Sequence, residues 1–163
     1  MARKVKCQVT NEWGTSDSFY KAPNGKYYKD ELTYHTWQKK SELRSQCIKA
    51  MCDVADYKIA PSFLNKMIGE IGNAVGYDVL YETIQRDMDS FTWANKHKEF
   101  TSEIGKLFYY QSIIKNTVID VYKEFQETKE KLQENNVTPP EDYAAGKIAV
   151  NGEDKISDLL GEI

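Results

Sequence analysis

Residues 4–34, KVKCQVTNEWGTSDSFYKAPNGKYYKDELTY, determine how the chain begins to fold. Apolar and polar residues alternate over Val5–Val9, which is typical of a short β-strand. An Asn-Gly pair at residues 24–25, preceded by proline and flanked by aromatic segments, predicts a β-hairpin. Asp30 stands where a helix should begin, because its carboxylate can accept backbone N–H groups of a first helical turn. The stretch therefore predicts a β-hairpin lobe over residues 1–30.

Residues 31–133 predict a helical domain, because apolar residues recur there at intervals of three and four. The first helix should run from about Glu31 to Ala55. A second helix should be capped by Ser62 and stopped by Gly76. A third helix should end near Met88.

Ser90 should cap a short turn that carries Phe91 and Trp93, ahead of a last helix with the longest apolar stripe. The predicted members of that stripe are Phe100, Ile104, Leu107, Phe108, Gln111, Ile114, Val118, Val121, Tyr122 and Phe125. The predicted fold class is α+β and mostly α-helical: an N-terminal β-hairpin lobe followed by a helical bundle and a flexible acidic tail.

The predicted tail covers residues 134–163, which contain seven acidic and two basic residues. Near its end, apolar residues recur at i, i+3, i+4 and i+7, which is one face of a short amphipathic helix. These residues are Ile156, Leu159, Leu160 and Ile163. Such a segment can dock into a groove of its own domain or of a partner. Both alternatives stay open.

The composition is that of a folded domain, with 40% hydrophobic and 29% charged residues among 163. No apolar run reaches the roughly 20 residues of a membrane-spanning helix, and the first residues lack a secretory pattern. Three cysteines are an odd number without a disulfide pattern, so we expect reduced thiols. These features predict a cytoplasmic protein without a membrane partner.

The N-terminal stretch has the outline of a zinc finger with most ligands missing. A finger needs a Cys-x-x-Cys turn, a hairpin and a second ligand pair at a helix start. Cys7 occupies the first ligand position and Thr10 the second, while Tyr28 and Glu31 or Leu32 stand at the other pair. We therefore expect no metal and no cofactor. Four rings should hold the lobe together instead: Trp13, Phe19, Tyr27 and Tyr28. An alternative ligand set is Cys7, His35, Cys47 and Cys52.

No catalytic residues are predicted, because motifs for hydrolytic nucleophiles, zinc proteases, phosphate loops and dinucleotide binding are missing from the sequence. The chain is therefore expected not to be an enzyme. Basic residues concentrate instead at the start, where residues 1–50 hold ten Lys or Arg and five Asp or Glu. Rings interleaved with lysines can stack on bases while the lysines meet phosphates. The predicted binding surface consists of Lys21, Lys26, Tyr27, Tyr28 and Lys29; that the tyrosines are core is the alternative.

Two runs of the sequence carry a resemblance. KCQVTNEWGTSDSFYK followed by NGKYYKDELTYHTWQK is similar to the start of small phage and prophage proteins of Gram-positive bacteria, in outline a treble-clef finger without its ligands. The run from GYDVLYETI through WANKHKEFTSEIGKLFYYQSIIKNTVIDVYKEF resembles in rhythm the C-terminal helical module of DnaD-type replication initiators. The resemblance implies a phage accessory protein that works near nucleic-acid machinery in the host cytoplasm.

Three function hypotheses follow. The first is a non-enzymatic phage or prophage accessory protein that binds a protein partner involved in nucleic-acid metabolism. The second is a factor that binds DNA or RNA directly in replication or transcription. The third is an inhibitor of a host defence nuclease. Binding would use the hairpin lobe and the C-terminal segment.

Overall fold

The computed structural model describes residues 2–134, and in that part the α+β, mostly helical fold is confirmed. Two small antiparallel hairpins precede five helices. The strands are β1 (Lys4–Lys6), β2 (Trp13–Thr15), β3 (Tyr20–Lys21) and β4 (Tyr27–Tyr28), and the helices are α1 (Glu31–Ala55), α2 (Ser62–Val75), α3 (Tyr77–Arg86), α4 (Met88–His97) and α5 (Glu103–Glu134). None of these helices combines the length and apolar character needed to cross a bilayer.

The chain divides within α1 into two compact units, the first being Met1–Glu42 and the second beginning at Leu43. The predicted domain boundary lies earlier, after residue 30, where α1 begins. Most of the predicted tail, including its amphipathic segment, lies outside the described residues.

The hairpins of the first unit follow local sequence signals. β3 and β4 pair antiparallel around the predicted Asn-Gly turn, where Gly25 adopts a φ of 78° and donates its N–H to the carbonyl of Ala22 at 2.9 Å. The predicted cap is also confirmed, because Asp30 Oδ1 accepts the N–H of Thr33 at 2.6 Å. α1 runs over the predicted range.

β1 is shorter than the predicted strand. It ends at Lys6, and Cys7 then forms an isolated parallel bridge with Tyr27 of β4. The chain turns immediately afterwards, since the N–H of Asn11 reaches the carbonyl of Cys7 at 3.2 Å. Val9 is consequently exposed in the turn rather than buried in a strand.

The two predicted serine caps are wrong. The carbonyl of Pro61 accepts the N–H of Asn65 at 3.1 Å, which makes Pro61 the capping residue and Ser62 the first residue inside α2. Ser90 lies within α4, a helix of ten residues that begins two residues before this serine. Its cap is Asp87, whose carbonyl accepts the N–H of Phe91 at 3.0 Å.

α5 buries four residues of the predicted stripe, Leu107, Ile114, Val118 and Val121, but differs from the prediction over its first two turns. Tyr110, which the stripe omitted, is fully buried, and its ring centroid lies 5.2 Å from that of Phe91. Ile104 and Phe108, which the stripe included, are 56% and 52% exposed. Phe108 contacts Phe63 of α2 at the side of the helix, with ring centroids 4.9 Å apart. The buried residues of α5 are Leu107, Tyr110, Ile114, Val118 and Val121.

Gly76 ends α2 as predicted. Its φ of 101° is a conformation that residues with a side chain rarely adopt, and its N–H donates to the carbonyl of Gly72 at 3.1 Å. Gly72 has a separate role, because a Cβ atom at that position would overlap with the ring of Tyr77. A Cβ atom on Gly69, by contrast, would have no described atom within 4 Å.

We expect Gly72→Ala to destabilise the second unit and Gly69→Ala to stabilise it. The added methyl group at residue 72 must displace a buried ring, at a cost of about 1–3 kcal/mol. At residue 69 only the gain in helix propensity remains, about 0.5–1 kcal/mol. Urea unfolding followed by circular dichroism measures both. Equal effects of the two substitutions would show that the Tyr77 ring does not require a glycine.

Candidate functional site

The ring of Tyr28 forms the centre of the first unit. Tyr28 is completely buried, and its ring centroid lies 5.0 Å from that of Tyr34 and 5.7 Å from that of Trp37, both on α1. The side-chain amide of Asn24 donates a hydrogen bond to its hydroxyl oxygen at 3.0 Å. The prediction that Tyr28 belongs to an exposed binding surface is therefore corrected, because its ring packs against α1 and none of the residue is accessible to solvent.

The other rings predicted to fill this centre lie elsewhere. Trp13 is 63% exposed, while Phe19 and Tyr27 are half-buried. Tyr34 and Trp37 take their place, and neither was among the four rings predicted to hold the lobe. Their spacing of three at the start of α1 puts them on one side of the helix, which is the signal that could have identified them.

The first hairpin carries an exposed tryptophan, Trp13, with two lysine ammonium groups near its ring. Alternate residues of a strand point to opposite faces, so Lys4 and Lys6 share one face of β1 while Val5 is buried on the other. Lys6 pairs directly with Trp13 of β2. The Nζ atoms of Lys4 and Lys6 lie 5.0 and 5.9 Å from the centroid of the Trp13 ring. We call these three residues the Trp13 face.

The lysines of the predicted surface are all exposed. Lys21 lies opposite Tyr27 across the β3–β4 pair, and Lys26 follows the turn between these strands. Lys29 forms an ion pair with Glu12, with 3.5 Å between Nζ and Oε2. Part of the positive charge of Lys29 is therefore offset beside the β1–β2 hairpin. The predicted C-terminal docking residues Ile156, Leu159, Leu160 and Ile163 lie outside the described residues.

The turn that follows β1 is held by hydrogen bonds. The N–H of Thr10 points to the sulfur of Cys7 at 3.5 Å, and the N–H of Cys7 donates to the carbonyl of Glu12 at 2.8 Å. The Thr10 hydroxyl donates to a Glu12 carboxylate oxygen at 3.2 Å. Asn11 adopts a φ of 60°, which asparagine tolerates better than most residues. Thr10 thus closes the turn from the position where a finger has its second cysteine.

Cys7 is the only predicted ligand in this turn. Burial by itself raises the pKa of its thiol, but hydrogen bonds from Thr10 and from the backbone of Val9 and Lys29 outweigh that effect and lower the pKa. Nowhere in residues 2–134 do three His, Cys, Asp or Glu side chains come close enough to hold a metal ion. The alternative ligand set is divided between the two units, with Cys7 and His35 in the first and Cys47 and Cys52 in the second.

We expect Tyr28→Ala to disrupt the first unit and Tyr28→Phe to preserve it. Removing a buried ring costs about 3–5 kcal/mol, whereas the hydroxyl contributes only one hydrogen bond, worth about 0.5–1.5 kcal/mol. Hydrogen exchange of the Cys7 and Ala22 amides, both hydrogen-bonded in the hairpins, measures the effect. A chelator added to the wild-type protein should leave this exchange unchanged. If it accelerates exchange, a metal holds the lobe instead of the rings.

Comparison with known proteins assigns no family to the chain. No family model matches it. No curated protein and no solved structure matches it either.

Proposed function

We propose that this chain is a non-enzymatic accessory protein whose hairpin lobe binds an acidic surface of a protein partner involved in nucleic-acid metabolism. The observation that carries the proposal is the Trp13 face, where two lysine ammonium groups lie within 6 Å of the centre of a 63% exposed indole. The phage setting and the partner's role in nucleic-acid metabolism rest on the sequence resemblance alone.

An exposed tryptophan of this kind is suited to anchor a protein interface. Its ring offers a large, rigid apolar area, and tryptophan is enriched among the residues that dominate binding energy. The two lysines already lie over the ring, so a carboxylate can pair with them without displacing either from the indole. A partner surface with acidic residues around an apolar pocket therefore fits all three side chains at once.

The charge of the lobe favours the same kind of partner. Residues 1–30 contain six Lys or Arg and three Asp or Glu, although the whole chain has a net charge of −3. Lys21 and Lys26 extend the positive surface beyond the Trp13 face. A positive region of this kind steers association with acidic surfaces and increases its rate more than its final affinity.

Direct binding of single-stranded DNA or RNA is a second candidate. The exposed ring of Trp13 is the observation that favours it, because bases stack on such rings while nearby lysines contact phosphates. Binding of this kind weakens steeply with salt, by roughly one released ion for each phosphate contacted.

Capture from a lysate of a Gram-positive bacterium tests the proposal, with Trp13→Ala as the test variant. Ile104→Ala is the matched control, because Ile104 is 56% exposed on α5, outside the hairpin lobe. We expect the wild-type chain and Ile104→Ala to retain the same protein after nuclease treatment. Trp13→Ala should bind it about tenfold more weakly or less, as expected for an interface anchor.

Titration with fluorescent oligothymidylate over a range of salt concentrations decides between the two candidates. Tight, salt-sensitive binding that Trp13→Ala abolishes would establish the second candidate in place of the first. Retention of the same captured protein by Trp13→Ala, together with no binding of the oligonucleotide, would refute both.

A further inference from the structure

A groove of about 550 Å³ lies between α4 and α5 in the second unit. Its lining residues come from the start and middle of α4 and from the middle of α5. They are Asp87, Asp89, Ser90, Trp93, Tyr109, Ile113, Asn116 and Thr117. Two of these side chains are carboxylates and none is a lysine or arginine, so the lining favours a positively charged ligand.

Asp87 is the buried member of this lining. It is only 8% exposed, and its Oδ1 accepts a hydrogen bond from the Thr117 hydroxyl at 3.0 Å. Its Oδ2 is buried and has no hydrogen-bond partner among the described residues. A buried carboxylate oxygen without a donor is costly. A ligand that brings N–H donors to this oxygen would recover that cost.

Burial also changes the pKa of the Asp87 carboxyl. It raises the pKa of the Asp87 carboxyl, and the hydrogen bond from Thr117 offsets this only in part. The folded state therefore holds the proton more tightly than the unfolded chain does. It follows that this group's contribution to stability falls as the pH rises through its folded-state pKa. A cation beside Asp87 would lower the pKa of its carboxyl and so oppose the effect of burial.

The aromatic lining of the groove is suited to a cation as well. Trp93 is half exposed and stacks on His97, with ring centroids 5.0 Å apart and planes at 18°. The Nζ atom of Lys98 lies 4.0 Å from the centroid of the Tyr109 ring. One ring of the lining thus already binds a cation of this chain through its face.

We propose that this groove binds a guanidinium group, with Asp87 as its carboxylate partner and Trp93 as the ring on which it stacks. A guanidinium is planar and always charged, donates two parallel N–H groups to a carboxylate, and stacks on aromatic faces. An ammonium group provides neither the planar stacking nor the paired donors. Asp89, exposed at the entrance, adds a second negative charge.

The test is a titration of the full chain with ethylguanidinium and with ethylammonium, followed through the indole N–H signal of Trp93 in NMR spectra. The signal is assigned from its loss in Trp93→Phe. Capped tripeptides with a central arginine or a central lysine form a second pair of probes, which distinguishes a free small molecule from a side chain of a partner. We expect saturable shifts with the guanidinium probes and much weaker, non-saturating shifts with the ammonium probes.

Matched variants connect the binding to the proposed residues. Asp87→Asn keeps an oxygen for the Thr117 hydroxyl, removes the charge and puts an amide NH2 group in place of the unpartnered Oδ2. Thermal unfolding at neutral pH checks that this variant stays folded. The substitution should weaken guanidinium binding by about tenfold or more, as expected for loss of a charged partner. Asp120→Asn, an equal charge change at an exposed residue of α5, should leave binding unchanged. Trp13→Ala should also leave it unchanged, which separates this site from the hairpin lobe.

Three results would overturn the proposal: no saturable binding of either guanidinium probe, equal binding of the ammonium probes, or equal binding by Asp87→Asn and the wild type. If Asp87→Asn does not fold, Asp89→Asn and Trp93→Ala decide the question, because both alter exposed residues of α4. Unchanged binding in both of these variants would then refute the site.

Discussion

The burial of one tyrosine ring is the constraint on which the first unit depends. Tyr28 comes from a strand of two residues, too short for its ladder to be stable alone, and its ring lies between Tyr34 and Trp37 of α1. This packing holds β4 in place. β4 in turn positions β3 through their antiparallel pairing, and the turn after β1 through the bridge between Tyr27 and Cys7. With these rings filling the centre, the indole of Trp13 remains on the outer face.

Local signals made much of the fold predictable from sequence. The Asn-Gly turn, the Asp30 cap and the range Glu31–Ala55 each depend on a few neighbouring residues, and the structure agrees with all three. The side chains that such short strands bury depend on α1, which packs against them. Sequence alone could therefore not show that Tyr28 is core while Trp13 is exposed. The lysines between them were predicted as exposed because charge alone decides their position.

On a helix where apolar residues fit more than one stripe at steps of three and four, the sequence pattern could not show which stripe is buried. On α5, steps of three and four connect Ile104 and Phe108 as readily as Leu107 and Tyr110, yet only the second pair is buried. Phe91 selects Tyr110 by packing against its ring. The α4–α5 groove could not be predicted for a related reason, because the contact of Asp87 with Thr117 spans 30 residues of sequence.

Single residues connect three consecutive helices of the second unit. Gly76 accepts the N–H of Leu80 as it closes α2, and Asp87 donates to Thr83 while accepting from Phe91. Each connection is therefore one residue long, and α3, about 15 Å in length, begins and ends at a sharp change of chain direction. A small change in the backbone dihedral angles of Asp87 would change the orientation of the whole of α4. The conformation of this one residue therefore sets the direction of the axis of a ten-residue helix.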